Sequence, residues 1–360
     1  MFDKVFDRFG KEYALADLEI QSTRRTIGSS SINSLSSYSC TNSGYFDLYF
    51  AAGSYFDGPS SPFAEKRDVL CQVFKDISDF IISPLAAPGN TVRINIYCDN
   101  VPLTSPGTLA TAGAFYVFPA NPTYSNQGII DNQINKTLVT GQDAYANYPV
   151  AGFIGAANFF HGVVNTSFNP PSGTFNYALN TNTITNTQVD YYSVMLHEIF
   201  HALGIGSLIN GGNNGISQLG ASSNFYSRYD LFLQDAAGNP LLGSSTPLCP
   251  LYNLTYTAPL SVVNPSNCSA NSDLTNCTTA AKFAGTNTTL AVFTPSCWVN
   301  GSSLSHFEDM CTVPPSFTSA CNSPTTVGGY NNLYYVMSNS SDYGTCYIKR
   351  YPKPEERFVL

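Results

Sequence analysis

Charged residues are scarce in this sequence. Asp, Glu, Lys and Arg make up only 11% of the 360 residues, whereas they make up roughly 25% of an average soluble domain. The 16 basic residues are outnumbered by 24 acidic residues, so the net charge is −8. A surface that neutralises phosphates needs clustered Lys and Arg. We therefore expect no nucleic-acid partner.

Long apolar runs are also missing. No segment approaches the roughly 18 consecutive apolar residues that a membrane-spanning helix requires, so we expect no transmembrane segment. Residues 1–8 carry a charge at every second or third position and lack the apolar core of a signal peptide. Residues 352–360 begin like a helix, with Pro and acidic residues, and stop without a C-terminal cap. These two ends favour a fragment of a longer chain.

The CxxC pairs of thiolate zinc sites and redox motifs are absent as well, although the sequence has ten cysteines. Seven of these cysteines lie in the stretch from Cys249 to Cys346. An even number of cysteines without CxxC spacing is typical of disulfides formed in an oxidising compartment. We expect a secreted or extracellular protein, and the sequence leaves the disulfide pairing open.

Apolar residues, in contrast, are abundant. Hydrophobic residues make up 43% of the chain, with 24 Phe and 23 Tyr, which is enough to bury a large core in one domain or two lobes. The polar surface must come from Ser, Thr, Asn and Gly, which favour strands, turns and loops over long helices. The composition therefore predicts an α+β fold with more strand and loop than helix.

The hydrophobic pattern predicts several elements. Residues 63–82 place apolar side chains at i, i+3, i+4 and i+7, which indicates a helix with one buried face. Residues 92–97 alternate apolar and polar, as in a half-buried strand. Ranges 112–118, 128–132 and 150–164 are also rich in β-forming residues. We expect these segments to form a twisted mixed sheet covered by helices.

Composition changes along the chain predict three regions. Residues 1–60 are rich in Ser and Gly and are expected to be an irregular lead-in or the remnant of a pro-segment. Residues 61–205 would form an upper lobe with the sheet and helices. Residues 206–360 contain Gly/Asn loops and most of the cysteines, so we expect an irregular, disulfide-rich lower lobe.

The clearest chemical signal is the segment His197-Glu198-Ile199-Phe200-His201, which holds two of the four histidines. Side chains at i and i+4 lie on one face of a helix, so both imidazoles can bind one zinc ion. Glu198 lies beside them and can accept a proton from a water molecule that the metal activates.

The neighbouring residues support a helix at this place. Thr187 as N-cap and Asp190 three residues later fit a capping box. Gly204 is placed to end the helix, because glycine adopts the backbone conformation of a C-terminal cap without strain.

A catalytic zinc ion needs a third protein ligand and an open position. If the motif continued as H-E-x-x-H-x-x-G-x-x-H, the third histidine would stand at position 207, but Ser207 is there. His306 is the one histidine that follows, and Glu308 or Asp230 is the carboxylate alternative. The fourth histidine, His161, is flanked by aromatic residues and is expected to be buried or to lie at a strand edge.

This arrangement resembles the metzincin zinc metalloproteases, and among them the leishmanolysin-like branch, which has a long insertion before its third histidine. His197, Glu198, His201 and Gly204 match the metzincin helix, and His306 follows after about a hundred residues. The sequence is also similar to secreted bacterial relatives with a Ser-His-Phe segment at the third histidine and a Tyr-Val-Met segment, residues 335–337 here. The resemblance covers roughly residues 60–360.

The resemblance implies a two-lobed metzincin-like fold with the substrate between the lobes. It implies a secreted zinc endopeptidase in which His197, His201 and His306 bind zinc and Glu198 is the general base for peptide-bond hydrolysis. Met337 would form the methionine turn beneath the metal, with Met310 as the alternative. The expected partner is a protein or peptide substrate, and the oligomeric state is left open.

Two alternatives remain at this point. The chain could be an extracellular adhesion or carbohydrate-binding module in which zinc has only a structural role. Such a site would be closed by a fourth protein ligand. Cys40 could also act as a latency thiol on the zinc ion, although a disulfide is the usual state of such a cysteine.

Overall fold

The computed structural model describes residues 4–6, 12–14, 35–61, 63–100, 108–117, 127–144, 160–167, 174–179, 184–185, 187–209, 224–244, 250–252, 280–294, 303–308, 326–327, 330–331, 335–338, 348–357 and 359. Its strands are β1 Lys4–Phe6, β2 Glu12–Ala14, β3 Leu35–Ser43, β4 Phe46–Ala51, β5 Ile94–Asn100, β6 Ala110–Ala114, β7 Tyr116–Val117, β8 Gln127–Asn132, β9 Gly162–Thr166, β10 Thr174–Asn176, β11 Gln188–Asp190, β12 Asn224–Ser227, β13 Leu233–Gln234, β14 Leu242–Ser244, β15 Pro250–Tyr252, β16 Lys282–Ala284, β17 Thr289–Ala291, β18 Thr326–Val327 and β19 Tyr330–Asn331. Its α-helices are α1 Phe63–Phe80, α2 Gln133–Thr140, α3 Tyr191–Leu203 and α4 Pro354–Arg357.

A five-stranded mixed sheet organises the fold. Its strand order is β3-β4-β5-β9-β6. Strands β4, β5 and β9 run parallel, whereas β3 and β6 pair antiparallel with their neighbours at the two edges. The predicted α+β class and mixed sheet are therefore confirmed.

One face of this sheet packs against α1 and α3. The alternating residues Phe46, Leu48 and Phe50 of β4 are fully buried, and the Phe46 ring lies 4.7 Å from the ring of Phe74 on α1. In a strand, alternate side chains point to the same face, so this one strand contributes three aromatic or aliphatic side chains to the core. Burial of each such side chain contributes roughly 1.5–3 kcal/mol to folding.

The predicted elements between residues 63 and 166 are present with shifted ends. The helix predicted at 63–82 is α1, which ends at Phe80, and the strand predicted at 92–97 is β5. The range 112–118 overlaps β6 and β7, and 128–132 lies in β8. Of the range 150–164, residues 162–164 belong to β9 and residues 150–159 lie outside the described residues.

The expectation of an irregular lead-in is wrong for residues 35–51. These residues form β3 and β4, and β4 lies inside the central sheet. The Ser-rich composition concealed β3, whereas β4 alternates apolar and polar residues in the pattern of a half-buried strand. Strand β4 pairs along its main chain with β3 on one side and β5 on the other.

The described cysteines divide into two kinds. Cys40 on β3 forms a disulfide with Cys71 on α1, so Cys40 is a structural residue and the latency-thiol alternative does not hold. Cys98 on β5 is fully buried and makes no disulfide with the other described cysteines. The seven cysteines from Cys249 to Cys346 lie outside the described residues.

The C-terminal part of the chain is joined to the start of α3 by a buried ion pair. Arg350 donates hydrogen bonds from Nε and Nη2 to the two carboxylate oxygens of Asp190, and both side chains are only 2% exposed. The guanidinium also donates to the carbonyl oxygens of Ala178 and Leu179. Every charge in this pair therefore has a partner, which is the condition under which a buried ion pair is tolerated.

Helix α1 carries a buried lysine. Lys66 of α1 is fully buried, and its Nζ donates a 3.0 Å hydrogen bond to the carbonyl oxygen of Ser167. Its Nζ lies 5.2, 5.5 and 6.0 Å from the ring centroids of Tyr55, Tyr177 and Tyr191. Burial lowers the pKa of Lys66 to about 7, while the three ring faces favour the ammonium form.

None of the helices among the described residues is both long enough and apolar enough to cross a bilayer.

Removing the arginine of the buried pair should destabilise the folded protein. We expect Arg350→Met to lower the free energy of unfolding by about 3–5 kcal/mol, because Asp190 would remain buried without its counter-charge. Arg93→Met is the matched control, since Arg93 pairs with Asp47 at 2.9 Å while 30% of its side chain is exposed. The control should lose no more than about 2 kcal/mol. Urea denaturation measures both values, and equal losses would contradict the interpretation.

Lys66 should make stability depend on pH. Below pH 7 the folded and unfolded chains both carry the ammonium, so the full cost of burying the charge is present. Between about pH 7 and 10 the unfolded state binds one more proton, and stability rises with pH. The difference in unfolding free energy between wild type and Lys66→Met should therefore shift in favour of wild type from pH 7 to 9.5. A difference that does not change over this interval would refute the assignment.

Candidate metal centre

Helix α3 carries His197 and His201, and hydrogen bonds define both of its ends. Its N-cap is Asp190, whose carboxylate accepts hydrogen bonds from the backbone N and the Oγ of Ser193. The predicted cap at Thr187 is therefore wrong, because Gln188–Asp190 continues as a strand paired with β10. Gly204 ends the helix, as predicted, with φ +125° and with its N–H donating to the carbonyl oxygens of Phe200 and His201.

The structure brings three histidines together. Nε2 of His306 lies 3.2 Å from Nε2 of His197 and 3.3 Å from Nε2 of His201. The three ring centroids are 4.9 to 5.1 Å apart. His201 and His306 are buried and His197 is half-buried, so the group is accessible from one side. This group can hold a metal ion.

Backbone carbonyls determine which nitrogen of each helix histidine faces the centre. Nδ1 of His197 donates to the carbonyl oxygen of Val336 at 2.7 Å, and Nδ1 of His201 donates to that of Ile205 at 2.6 Å. A carbonyl oxygen can only accept, so in the neutral rings the hydrogen is on Nδ1 and the lone pair is on Nε2. Both lone pairs are therefore available for a metal ion, and outer contacts of this kind orient metal ligands.

His306 reaches the centre on a short segment that runs antiparallel to the residues after β17. Phe293 N donates to the carbonyl oxygen of His306, and Leu304 N donates to that of Phe293, both at 2.8 Å. Leu304 has φ +64°, a strained conformation for a branched side chain. The tight turn at Leu304 directs the chain back toward α3.

Asp230, one of the carboxylates considered as a third ligand, has a different position. It is fully buried and accepts hydrogen bonds from the Oγ atoms of Ser207 and Ser227 at 2.6 and 3.0 Å and from the backbone N of Leu208 at 3.1 Å. Burial raises the pKa of Asp230 to about 6, against the opposing effect of these hydrogen bonds. Ser207 N in turn donates to Ser305 Oγ at 3.0 Å. Asp230 thus holds the chain that follows α3 against the His306 segment.

Met337 lies directly beside the centre. Its carbonyl oxygen accepts the N–H of Phe307 at 2.8 Å, which is the residue after His306. The preceding residue, Val336, supplies the carbonyl that holds His197. Met337 is completely buried, and the alternative Met310 lies outside the described residues.

The side chain of Glu198 extends from α3 to the edge strand of the central sheet. One of its carboxylate oxygens accepts a 3.2 Å hydrogen bond from the backbone N of Ala112 on β6. Because Glu198 follows His197 on the helix, this contact places a carboxylate at the boundary between the histidine group and the edge strand. Sequence spacing predicted the position of Glu198 beside the histidines but not the contact with β6.

The remaining candidates do not join the histidine group. Among the described residues, His197, His201 and His306 form the one group of three or more His, Cys, Asp or Glu side chains whose donor atoms come within 4.8 Å of one another. Glu308, the other carboxylate alternative, is therefore not a member. His161 is buried, accepts a hydrogen bond from Asn95 N at 3.1 Å and lies 3.3 Å from Asp143, so it has the structural position expected for it.

Comparison of the chain with protein-family models, with curated proteins and with solved structures found no match. The geometry of this centre and the residues that surround it therefore carry the functional assignment.

His306 should be required for metal binding, whereas His161 should not. We expect His306→Ala to raise the dissociation constant for zinc by more than about 100-fold, which exceeds the usual cost of losing an outer contact. His161→Gln, a change at a buried histidine that precedes β9 and lies outside the group, should leave zinc affinity at the wild-type value. Competition with a chromophoric chelator measures both.

The same titration tests the rival ligand and the protonation state. Zinc affinity should fall as the pH drops, because the imidazoles must lose their protons to bind. A strong loss of affinity in Glu308→Gln, together with full affinity in His306→Ala, would assign the third ligand to the carboxylate instead.

Proposed function

We propose that this protein is a secreted zinc endopeptidase of the metzincin type. The observation that carries the proposal is the convergence of three histidine Nε2 atoms from α3 and from a segment about a hundred residues later. The resemblance of the sequence to the leishmanolysin-like branch supports the same assignment. The two-lobed arrangement and the peptide substrate are parts of this proposal.

Zinc fits the donor set. Zinc–nitrogen bonds of ~2.05 Å in a tetrahedral site place two donor nitrogens ~3.3 Å apart, and the Nε2 separations from His306 are 3.2 and 3.3 Å. Three imidazoles with a fourth position open to solvent are the donor set of catalytic zinc sites, whereas structural sites are closed by a fourth ligand. The half-buried position of His197 agrees with access from one side.

Zinc, when bound, would supply a Lewis acid that polarises a carbonyl group and acidifies a water molecule. The chain's own contribution to the chemistry is Glu198. Its carboxylate would accept a proton from the attacking water and later deliver a proton to the leaving amine. The hydrogen bond from Ala112 N orients this carboxylate toward the edge of the sheet.

The edge of β6 that faces away from β9 supports an extended peptide as the substrate. Odd-numbered positions of this segment bond toward β9, since Ser167 N donates to Leu109 O and Phe115 N donates to His161 O. The opposite edge, on which Ala112 N lies, has no strand partner in the described sheet. An edge strand offers backbone donors and acceptors to an added strand, and here that edge lies beside Glu198.

Replacing Glu198 should separate metal binding from catalysis. We expect Glu198→Gln to keep zinc affinity within a factor of about 3 but to lower kcat for casein hydrolysis by about 10²–10⁴-fold, the usual contribution of a general acid–base group. Glu65→Gln is the matched control, because Glu65 is an exposed carboxylate on α1 that bonds to Ser61. The control should retain wild-type activity. Near wild-type hydrolysis by Glu198→Gln would remove this residue from the mechanism.

A further inference from the structure

The turn that holds His197 is itself held by a later part of the chain. We define the strap as residues 348–357, which end in the one-turn helix α4. The Nζ of Lys353 lies 4.0 Å from the ring centroid of Tyr335, and Lys349 Nζ bonds to Ser338 Oγ. The strap therefore contacts both ends of the four-residue turn 335–338.

Glu356 contacts the middle of the same turn. Its Oε1 accepts a 2.9 Å hydrogen bond from Met337 N, and its Oε2 accepts one of the same length from Lys353 N. Glu356 is fully buried. Burying a carboxylate is unfavourable unless hydrogen bonds compensate it, and these two bonds come from backbone amides, one in the turn and one in the strap. The two oxygens thereby join the turn to the strap.

The turn transmits this constraint to two metal ligands. The carbonyl of Val336 accepts the Nδ1 hydrogen of His197, and the carbonyl of Met337 accepts the N–H of Phe307 beside His306. A displacement of the turn would change both contacts. Fixed outer contacts of this kind set the orientation and basicity of ligating histidines.

We infer that Glu356 is a positioning residue of the metal centre, which acts through the 335–338 turn on His197 and His306. This inference rests on the proposed function only in assuming that the three histidines bind metal. Glu356 is not a member of the histidine group. Its role is to keep two Nε2 atoms at the separation that a small cation requires.

The test is Glu356→Gln in the full chain, with Arg67→Gln as control. Glutamine has one acceptor oxygen and one donor group, so it cannot accept from both amides. Arg67 of α1 is also a buried charged side chain that bonds to two backbone groups, the carbonyl oxygens of Phe56 and Gly58. Both variants should lose thermal stability, so that the control accounts for destabilisation alone.

Three measurements, none of which uses hydrolysis, decide the matter. We expect Glu356→Gln to raise the zinc dissociation constant by about 10–100-fold. It should also change the visible absorption spectrum of the cobalt-substituted protein. In the metal-free protein, ¹⁵N chemical shifts should show a smaller population of the His197 tautomer that carries its hydrogen on Nδ1. Arg67→Gln should match wild type in all three at a temperature where both variants are folded.

Unchanged affinity and cobalt spectrum in Glu356→Gln would overturn the inference, as would equal changes in Arg67→Gln. If Glu356→Gln does not fold, Glu356→Asp, which keeps the charge but shortens the reach, is judged by the same criteria. Failure of both to fold would assign Glu356 to stability alone. If the wild-type protein binds zinc but cleaves no peptide, the proposed function fails while the effect of Glu356 on affinity still stands.

Discussion

Nε2 of His306 faces Nε2 of His197 at 3.2 Å and Nε2 of His201 at 3.3 Å. Nitrogens that all carry lone pairs repel at such distances, and a cation between them turns this repulsion into binding. The protein must hold His197, His201 and His306 in that arrangement against the repulsion. It does so with backbone carbonyls that fix the helix histidines from behind. The geometry of the centre therefore depends on the loops around α3 as much as on α3 itself.

Buried carboxylates hold those loops in place, although the chain contains few charged residues. Asp230 holds the segment after α3 against the His306 segment through two serines. Glu356 holds the turn at Met337, and the pair of Asp190 with Arg350 joins the C-terminal segment to the start of α3. In each case a carboxylate accepts several hydrogen bonds, which offsets the cost of its burial. Several of the few charged residues therefore hold segments of the chain in place around the histidine group.

In the proposed function, the mixed sheet would bring the general base and the substrate together. Helix α3 packs against the sheet near β6, so that Glu198 accepts a hydrogen bond from the backbone of this edge strand. A peptide added as a strand at this edge would lie next to the carboxylate. The buried aromatic residues of β4 and α1 form the rigid support for this arrangement.

Much of the centre could be predicted from local spacing. The i, i+4 positions of His197 and His201 on one helix, the end of that helix at Gly204 and the shortage of other histidines pointed to these ligands and to His306. Prediction from composition and spacing was wrong at two places, the strands at residues 35–51 and the N-cap of α3. Residues 35–51 form strands although their composition suggested a lead-in, and Asp190 caps α3 although Thr187 fits a capping box, because strand pairing with β10 extends to Asp190.

The sequence by itself determined which side chains could bind a metal and which carboxylate stands beside them, because a helix converts spacing along the chain into neighbourhood in space. Only the tertiary structure decided that His306 meets the other two, that Val336 and Ile205 orient their rings, and that Glu356 and Asp230 hold the loops in place. These contacts join residues far apart in the chain, and many of them use backbone atoms. Every residue has the same backbone groups, so no residue pattern reveals which of them will meet.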